Sequence, residues 1–142
     1  MIPFSVRIRE GASLHQQIIY AAKKAIVSGN LRPGDVFPSV RALSRELKIN
    51  PNTAHKIVAH LVEAGLLETK QGVGTIVAII PAASPAERAE LLGREMEELV
   101  VEAKRLGLDL PDILSSVSKQ WKQLADKSGL GDRSNQEGSR KR

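Results

Sequence analysis

The sequence contains no cysteine, so disulfide bonds, thiolate metal sites and a cysteine nucleophile are all excluded. Aromatic residues are also scarce. A base-stacking surface of the kind that grips single-stranded nucleic acid is therefore hard to build in this chain. The aromatic residues are Phe4, Tyr20, Phe37 and Trp121.

Long apolar runs are absent as well. The longest one, residues 75–81, is far shorter than the roughly 20 residues that span a bilayer, and residues 1–7 hold no apolar stretch long enough for a signal peptide. We therefore expect a cytoplasmic protein with no membrane partner. The chain has 142 residues, of which 42% are hydrophobic and 26% charged. These values suit a folded domain, or one small domain with an appendage.

The net charge of +5 is unevenly distributed along the chain. Residues 1–79 carry 10 basic and 5 acidic side chains, residues 80–127 carry 7 and 9, and residues 128–142 carry 4 and 2. The excess of positive charge therefore lies in residues 1–79, and the net charge of residues 80–142 is zero. This distribution favours a polyanionic partner at one end of the molecule. The alternative is an ordinary solvated surface.

A helix is predicted over residues 14–28. Ser13 and Gln16 have the spacing of a capping box, and Gly29 suits the left-handed residue that ends a helix. One apolar stripe recurs at helical spacing and is expected to face a core. It consists of Leu14, Ile18, Ala22, Ala25 and Ile26.

Two shorter helices and a hairpin follow this first helix. After a turn-rich connector at 31–38, a helix is predicted over 39–47 and another from Asn50 to Gly65, with proline at its preferred first position. Residues 66–79 predict two strands around a glycine-containing loop. The order predicts an α+β, mainly α fold, with a winged helix-turn-helix domain over residues 1–80.

Residues 81–127 predict a separate two-helix unit, and residues 128–142 predict a disordered tail. Ser84, Pro85 and Glu87 mark the start of the first helix, Gly107 ends it, and Asp109 can cap the second. Each helix carries an apolar stripe that two such helices cannot bury alone. A homodimer is the expected solution, and intramolecular docking in a monomer is the alternative. The expected dimer-interface residues are Leu92, Met96, Leu99, Ala103, Leu106, Ile113, Leu114, Val117, Trp121 and Leu124.

Several stretches resemble the signature of the GntR family of bacterial transcription regulators. Residues 29–43 read GNLRPGDVFPSVRAL, and the similarity continues through Asn52-Thr53, Gly65-Leu66-Leu67 and residues 72–77. The resemblance covers roughly residues 8–79. The two-helix unit is too short for the effector domains of the FadR-like and HutC-like branches. The short two-helix unit and the sequence of residues 50–53 both resemble the YtrA branch, whose members are small dimeric repressors.

Two departures from the family pattern stand out. Lys48 occupies the turn between the second and third helices, where glycine is frequent; lysine can still turn there, at some conformational cost. Many relatives place arginine where this chain has Pro51 and His55. The operator sequence therefore cannot be copied from those relatives.

The helix-turn-helix interpretation identifies the residues expected on double-stranded DNA. The N-terminal part of the third helix lies nearest the base edges in this motif, and Asn52 is suited to pair with adenine. The family resemblance places Ser39, Arg41 and Arg45 against the DNA backbone. Four alternatives stay open. The Asn50 side chain can be occupied in capping its own helix, and the wing glycines can serve only the hairpin turn. Lys56 can be an ordinary surface lysine, and the helix face with Arg41 and Arg45 can be solvated surface. The full set is Ser39, Arg41, Arg45, Asn50, Pro51, Asn52, Thr53, His55, Lys56, Lys70, Gly72 and Gly74.

No catalytic residue, metal or cofactor is expected. His55 and His60 lie about 140° apart around a helix, which is poor geometry for a shared metal, and the Gly72–Gly74 loop lacks the lysine of a phosphate-binding P-loop. The sequence thus predicts a DNA-binding transcription regulator, a repressor acting on a pseudo-palindromic operator as a homodimer. The alternative is a winged-helix module for protein–protein contacts without DNA readout. A small-molecule effector cannot be inferred from the sequence.

Overall fold

A computed structural model describes residues 2–124 of the chain, which divide into two compact units, residues 2–80 and residues 81–124. The predicted tail at 128–142 lies outside the described residues, as do the last residues of the predicted two-helix unit. None of the helices described is both long and apolar enough to cross a membrane.

The first unit contains three helices and a hairpin in the predicted order. The elements are α1 (Leu14–Val27), α2 (Val40–Leu47), α3 (Pro51–Glu63), β1 (Leu67–Lys70) and β2 (Gly74–Val77). Their apolar stripes meet in one core, in which Leu43, Ala54, Ile57 and Leu61 are fully buried. The predicted winged helix-turn-helix fold is therefore confirmed. Helical periodicity was informative here because every helix has one buried face.

The start of α1 differs in detail from the predicted capping box. The Ser13 hydroxyl accepts a hydrogen bond from the backbone N–H of Gln16 at 3.3 Å, as expected. The side chain that reaches back, however, is that of Gln17. Its Oε1 accepts from the N–H of Arg9 at 2.7 Å, and its Nε2 donates to the carbonyl groups of Arg9 and Ala12, both at 3.1 Å. This glutamine holds the N-terminal segment against the helix.

The wing is a two-stranded antiparallel sheet with an additional pairing partner. Leu67 pairs with Val77, and Lys70 pairs with Gly74 across the hairpin. The connector before α2 was predicted only as a turn-rich loop, yet Phe37 donates to the carbonyl of Thr75 at 2.8 Å. The connector therefore pairs with the outer edge of β2 and ties the wing to the core, where Phe37 is 2% exposed.

The second unit consists of a helical stretch from Pro85 to Arg105 and a further helix. The stretch comprises α4 (Pro85–Glu90), a π-helical segment (Leu91–Glu95) and α5 (Met96–Arg105), and the further helix is α6 (Leu110–Gln123). The predicted capping box is present, since Ser84 and Glu87 exchange hydrogen bonds at 2.9 and 3.1 Å. The π-helical segment was not predicted. It contains Gly93, whose low helix propensity weakens the local preference for regular α-helix.

Candidate nucleic-acid interface

Helix α2 presents two arginines one helical turn apart. Its N-terminus is capped by Ser39, whose hydroxyl accepts from the backbone N–H of Ala42 at 3.1 Å. Arg41 and Arg45 are exposed, whereas Leu43 on the opposite side is completely buried. The guanidinium groups and the partial positive charge of the helix N-terminus therefore occur together on one exposed part of the domain, an arrangement suited to phosphate.

The turn between α2 and α3 is built on Lys48. This residue adopts the left-handed conformation, with φ of 54° and ψ of 48°. The Ser44 hydroxyl donates to the carbonyl of Ile49 at 2.8 Å, and the Ile49 N–H donates back to the Ser44 carbonyl at 3.1 Å. The prediction that lysine turns the chain here is confirmed. The conformation costs a non-glycine residue about 1 kcal/mol, which the surrounding contacts offset.

Helix α3 exposes its N-terminal polar residues and buries the opposite stripe. The Asn50 Oδ1 accepts from the backbone N–H of Asn52 at 2.8 Å, with Pro51 at the first turn. The capping alternative for Asn50 is therefore confirmed. A DNA contact by this side chain would have to come from its amide nitrogen. The other predicted base-facing residues are accessible: Asn52, His55 and Lys56 are exposed, and Thr53 is half-buried.

The wing tip contains two glycines in conformations that other residues avoid. Gly72 has φ of +81° and Gly74 has φ of +110°, and no heavy atom lies within 4 Å of a Cβ built at either position. The hairpin geometry alone is thus a sufficient reason for both glycines. Lys70 is exposed beside them, at the end of β1. Whether DNA also requires a close approach there stays a prediction.

Four cationic side chains of these elements form no ion pair within the described part of the chain. Arg41, Arg45, Lys56 and Lys70 are all exposed, and none forms an ion pair with another residue between 2 and 124. The ion pairs that occur there involve Arg94 and Arg105 in the second unit. The elements of the helix-turn-helix and wing therefore present cationic groups without bound carboxylates, as a polyanion-binding surface requires.

Sequence reasoning missed the N-terminal segment before α1. Ile2, Phe4 and Val6 pack against the core, and the Phe4 ring stacks on that of Phe37 with centroids 5.8 Å apart. Alternate residues of this segment therefore face the core. The alternation of apolar residues at positions 2, 4, 6 and 8 was the available signal, since a period of two is typical of an extended segment with one buried side.

Two of the three histidines are neighbours in the fold. His15 on α1 and His60 on α3 lie edge to face, with ring centroids 6.3 Å apart, although they are distant in sequence. His55 is exposed nearer the start of α3. Among residues 2–124, no three histidine, aspartate or glutamate residues are grouped so that they could hold a metal ion.

The predicted dimer-interface residues form a mostly exposed set in the second unit. Ala103 is buried, and Ile113 and Leu124 are half-buried. The others leave between 39% and 68% of their surface accessible, with Met96 at the lower limit and Trp121 at the upper. The remaining exposed members are Leu92, Leu99, Leu106, Leu114 and Val117. So many exposed large apolar side chains on two helices are typical of an interaction surface.

The fold and this cationic surface define the class of a winged helix-turn-helix protein of the kind that regulates transcription. The model of the family described as "Bacterial regulatory proteins, gntR family" matches residues 14–77. The chain is similar to the HTH-type transcriptional repressor YtrA of Bacillus subtilis. The two are 30% identical over 103 residues, which cover 72% of this chain and 79% of the relative. The chain therefore belongs to the GntR family and is YtrA-like.

Solved structures agree with this assignment at the level of the fold. A transcriptional antiterminator from Listeria monocytogenes EGD-e has a TM-score of 0.76 at 22% identity, over 91% of this chain and 97% of that one. A GntR family transcriptional regulator from Listeria monocytogenes has a TM-score of 0.56 at 26% identity, over 79% and 98% of the two chains. The YtrA relative is a transcriptional repressor by name, a role that involves no catalysis.

Proposed function

We propose that this protein is a repressor that binds a pseudo-palindromic DNA operator as a homodimer, with one α3 helix in the major groove of each half-site. The observation that carries the proposal is the exposed N-terminal half of α3, flanked by cations that have no carboxylate partner among the described residues. The word "repressor" in the name of the YtrA relative supports the direction of regulation.

Base reading is assigned to the exposed side chains at the start of α3. The amide of Asn52 can donate to and accept from adenine in the major groove, and the methyl group of Thr53 suits the thymine methyl. His55 and Lys56 are long enough to reach guanine or phosphate. Since Asn50 caps the helix, its contribution is chiefly to position Asn52.

Backbone binding is assigned to the cations around that helix. Arg41, Arg45, Lys56 and Lys70 supply four positive charges per protomer, and eight in a dimer. Because each neutralised phosphate releases counterions, log K should fall with log salt with a slope of about −7 if all eight make contact. The helix N-terminus at Ser39 and the N–H groups of the wing add uncharged contacts.

Dimerisation is assigned to the exposed apolar side chains of the second unit. Two copies that share these faces remove large apolar side chains from water, which is the main favourable contribution in such association. A symmetric dimer presents two α3 helices to one face of the duplex. The half-sites should then be separated by one helical turn of DNA or a multiple of it.

Selection from random-sequence DNA, followed by fluorescence anisotropy at several salt concentrations, tests the function. We expect a selected pseudo-palindrome. Arg41→Ala should weaken binding to selected and unrelated DNA alike, whereas Asn52→Ala should also relax the preference at one base position, by about 1–3 kcal/mol. Lys23→Ala is the matched control, because it removes an exposed cation of the same unit outside the proposed surface.

Three results would contradict the proposal or one of its parts. Failure to enrich any sequence, together with no binding at low salt, would favour the protein–protein module without DNA readout. Equal losses for Arg41→Ala and Lys23→Ala would show that only net charge matters. If Asn52→Ala lost overall affinity without any change in base preference, its reading role would be wrong.

A further inference from the structure

A groove of about 780 Å³ lies between the N-terminal segment and the outward face of α1. The segment contributes Ser5, Arg7, Arg9 and Ala12 to its lining, and α1 contributes Gln16, Gln17, Tyr20, Ala21 and Lys24. The groove belongs entirely to the first unit, and it includes none of the residues assigned to DNA. Its volume is within the range of small-molecule sites.

One side of the groove is formed by the N-terminal segment, which is held in place by contacts at both of its ends. Val6 and Phe4 pack inward, and the side chains of Ser5, Arg7 and Arg9 alternate with them along the segment. The segment is held by the Phe4 stack at one end and by the three hydrogen bonds of Gln17 to Arg9 and Ala12 at the other. The backbone that carries the two arginines is therefore fixed in place, which reduces the entropy that a ligand must overcome.

The charge of the groove is of one sign. Arg7, Arg9 and Lys24 line it, no aspartate or glutamate does, and none of the three cations has an ion-pair partner among residues 2–124. An anion in the groove would therefore meet cationic groups from both the N-terminal segment and α1.

The position of the groove separates it from the proposed DNA surface. Helices α1 and α3 pack against each other through their buried stripes. On α1, Gln17, Tyr20 and Lys24 lie on the side of the helix away from that stripe, and on α3 Asn52 and Lys56 likewise point away from the core. The groove is lined by no residue of α3, and the proposed DNA surface includes no residue of α1.

We propose that this groove binds a small molecule with two or more negative charges, such as a phosphate ester or a polycarboxylate. Arg7 and Arg9 bind the anionic groups in bidentate fashion from the segment. Lys24 binds a second anionic group from α1. The hydroxyl of Tyr20, the hydroxyl of Ser5 and the amide of Gln16 provide hydrogen bonds for the polar remainder of the ligand. A site for a small-molecule anion in the DNA-binding unit goes beyond the proposed operator binding.

The test measures binding in the absence of DNA, so its failure is distinguishable from failure of the regulator proposal. Pyrophosphate and citrate are titrated into the ¹⁵N-labelled full chain at low salt, with acetate as the monoanionic control. We expect shifts of the Arg7, Arg9 and Gln17 resonances with pyrophosphate or citrate and much weaker effects with acetate. The double variant Arg7→Gln/Arg9→Gln should lose at least about tenfold in affinity, corresponding to the loss of one or two charge-assisted hydrogen bonds.

The double variant Lys104→Gln/Lys119→Gln serves as the matched control, because it removes the same charge from the second unit. It should keep the pyrophosphate affinity within about twofold of the parent, a change of less than about 0.5 kcal/mol. Equal losses in the two double variants, or no binding by either polyanion, would overturn the proposal. It would also be overturned if Arg7→Gln/Arg9→Gln abolished DNA binding while polyanions failed to bind, since the groove would then be a DNA contact.

Discussion

Replacement of Trp121 by alanine is the sharpest test of the proposed dimer. This side chain is 68% exposed in the chain on its own, although tryptophan is a costly residue to leave in water. If the second unit is a dimer interface, Trp121 is the largest apolar group that association buries there. The substitution should therefore shift the protein strongly toward monomer while leaving the helices of each chain intact.

The size of the effect follows from the exposed area. A large aromatic side chain buries up to about 250 Å², so an exposure of 68% leaves about 170 Å² for an interface to cover. At about 25 cal/mol per Å² this corresponds to about 4 kcal/mol per copy and about 8 kcal/mol for a symmetric pair, as an upper bound. Ordering costs and partial coverage reduce this value. If half of this free energy is realised in the dimer, Trp121→Ala should raise the dimer dissociation constant about a thousandfold.

Sedimentation equilibrium over a wide concentration range measures this dissociation constant directly, and circular dichroism checks that the variant is folded. Tyr20→Ala is the matched control, because Tyr20 is also an exposed aromatic, at 61%, but belongs to the first unit. It should leave the dimer unchanged. The reasoning is refuted if the parent chain is monomeric at every concentration, or if Trp121→Ala changes the constant no more than Tyr20→Ala does.

Three further predictions concern stability. Gly93→Ala should stabilise the second unit by about 0.5–1 kcal/mol, whereas Gly107→Ala should destabilise it by about 1 kcal/mol. Both sites are open and only Gly107 has a positive φ; thermal melts that move in the same direction would contradict the argument. Ser39→Ala should cost about 1 kcal/mol through loss of the cap. Ser39→Asp should restore stability yet weaken DNA binding by repelling phosphate, and equal DNA affinity of the two variants would count against a phosphate contact at that position. The hydrogen bond from Arg105 holds the pKa of Glu102 below its usual value. Its stabilising contribution is therefore complete at neutral pH and is lost on acidification below the ordinary carboxylate range of about 4. Helical circular dichroism should fall over that range, and a smaller fall in Glu102→Gln would support the assignment.

Much of the DNA-binding unit could be predicted because its signals are local. A capping side chain bonds to a backbone N–H group only two or three residues ahead. Ser39 and Asn50 could therefore be identified as caps from the residues next to them. Buried stripes recur at helical spacing, and Leu43, Ile57 and Leu61 are fully buried accordingly. The turn at Lys48 was expected from the family resemblance, which places a turn residue, often glycine, at that position.

The features that escaped prediction depend on pairs of residues far apart in sequence. Pairing of the connector with β2, stacking of Phe4 on Phe37, and the approach of His15 to His60 each join separate elements. The π-helical segment was missed for another reason. One glycine in a strong helical pattern does not indicate a change from α-helical to π-helical hydrogen bonding.

The order of elements, the helix caps and the concentration of positive charge in the first half were thus determined by the sequence, since periodicity, caps and charge are carried by adjacent residues. Tertiary packing decided where the charges act. It leaves Arg41, Arg45 and Lys56 on the exposed faces of the helix-turn-helix. It also places the N-terminal segment beside α1, so that Arg7, Arg9 and Lys24 line a separate groove. Net charge alone cannot distinguish these two surfaces, because that distinction depends on which face of each helix is turned toward the core.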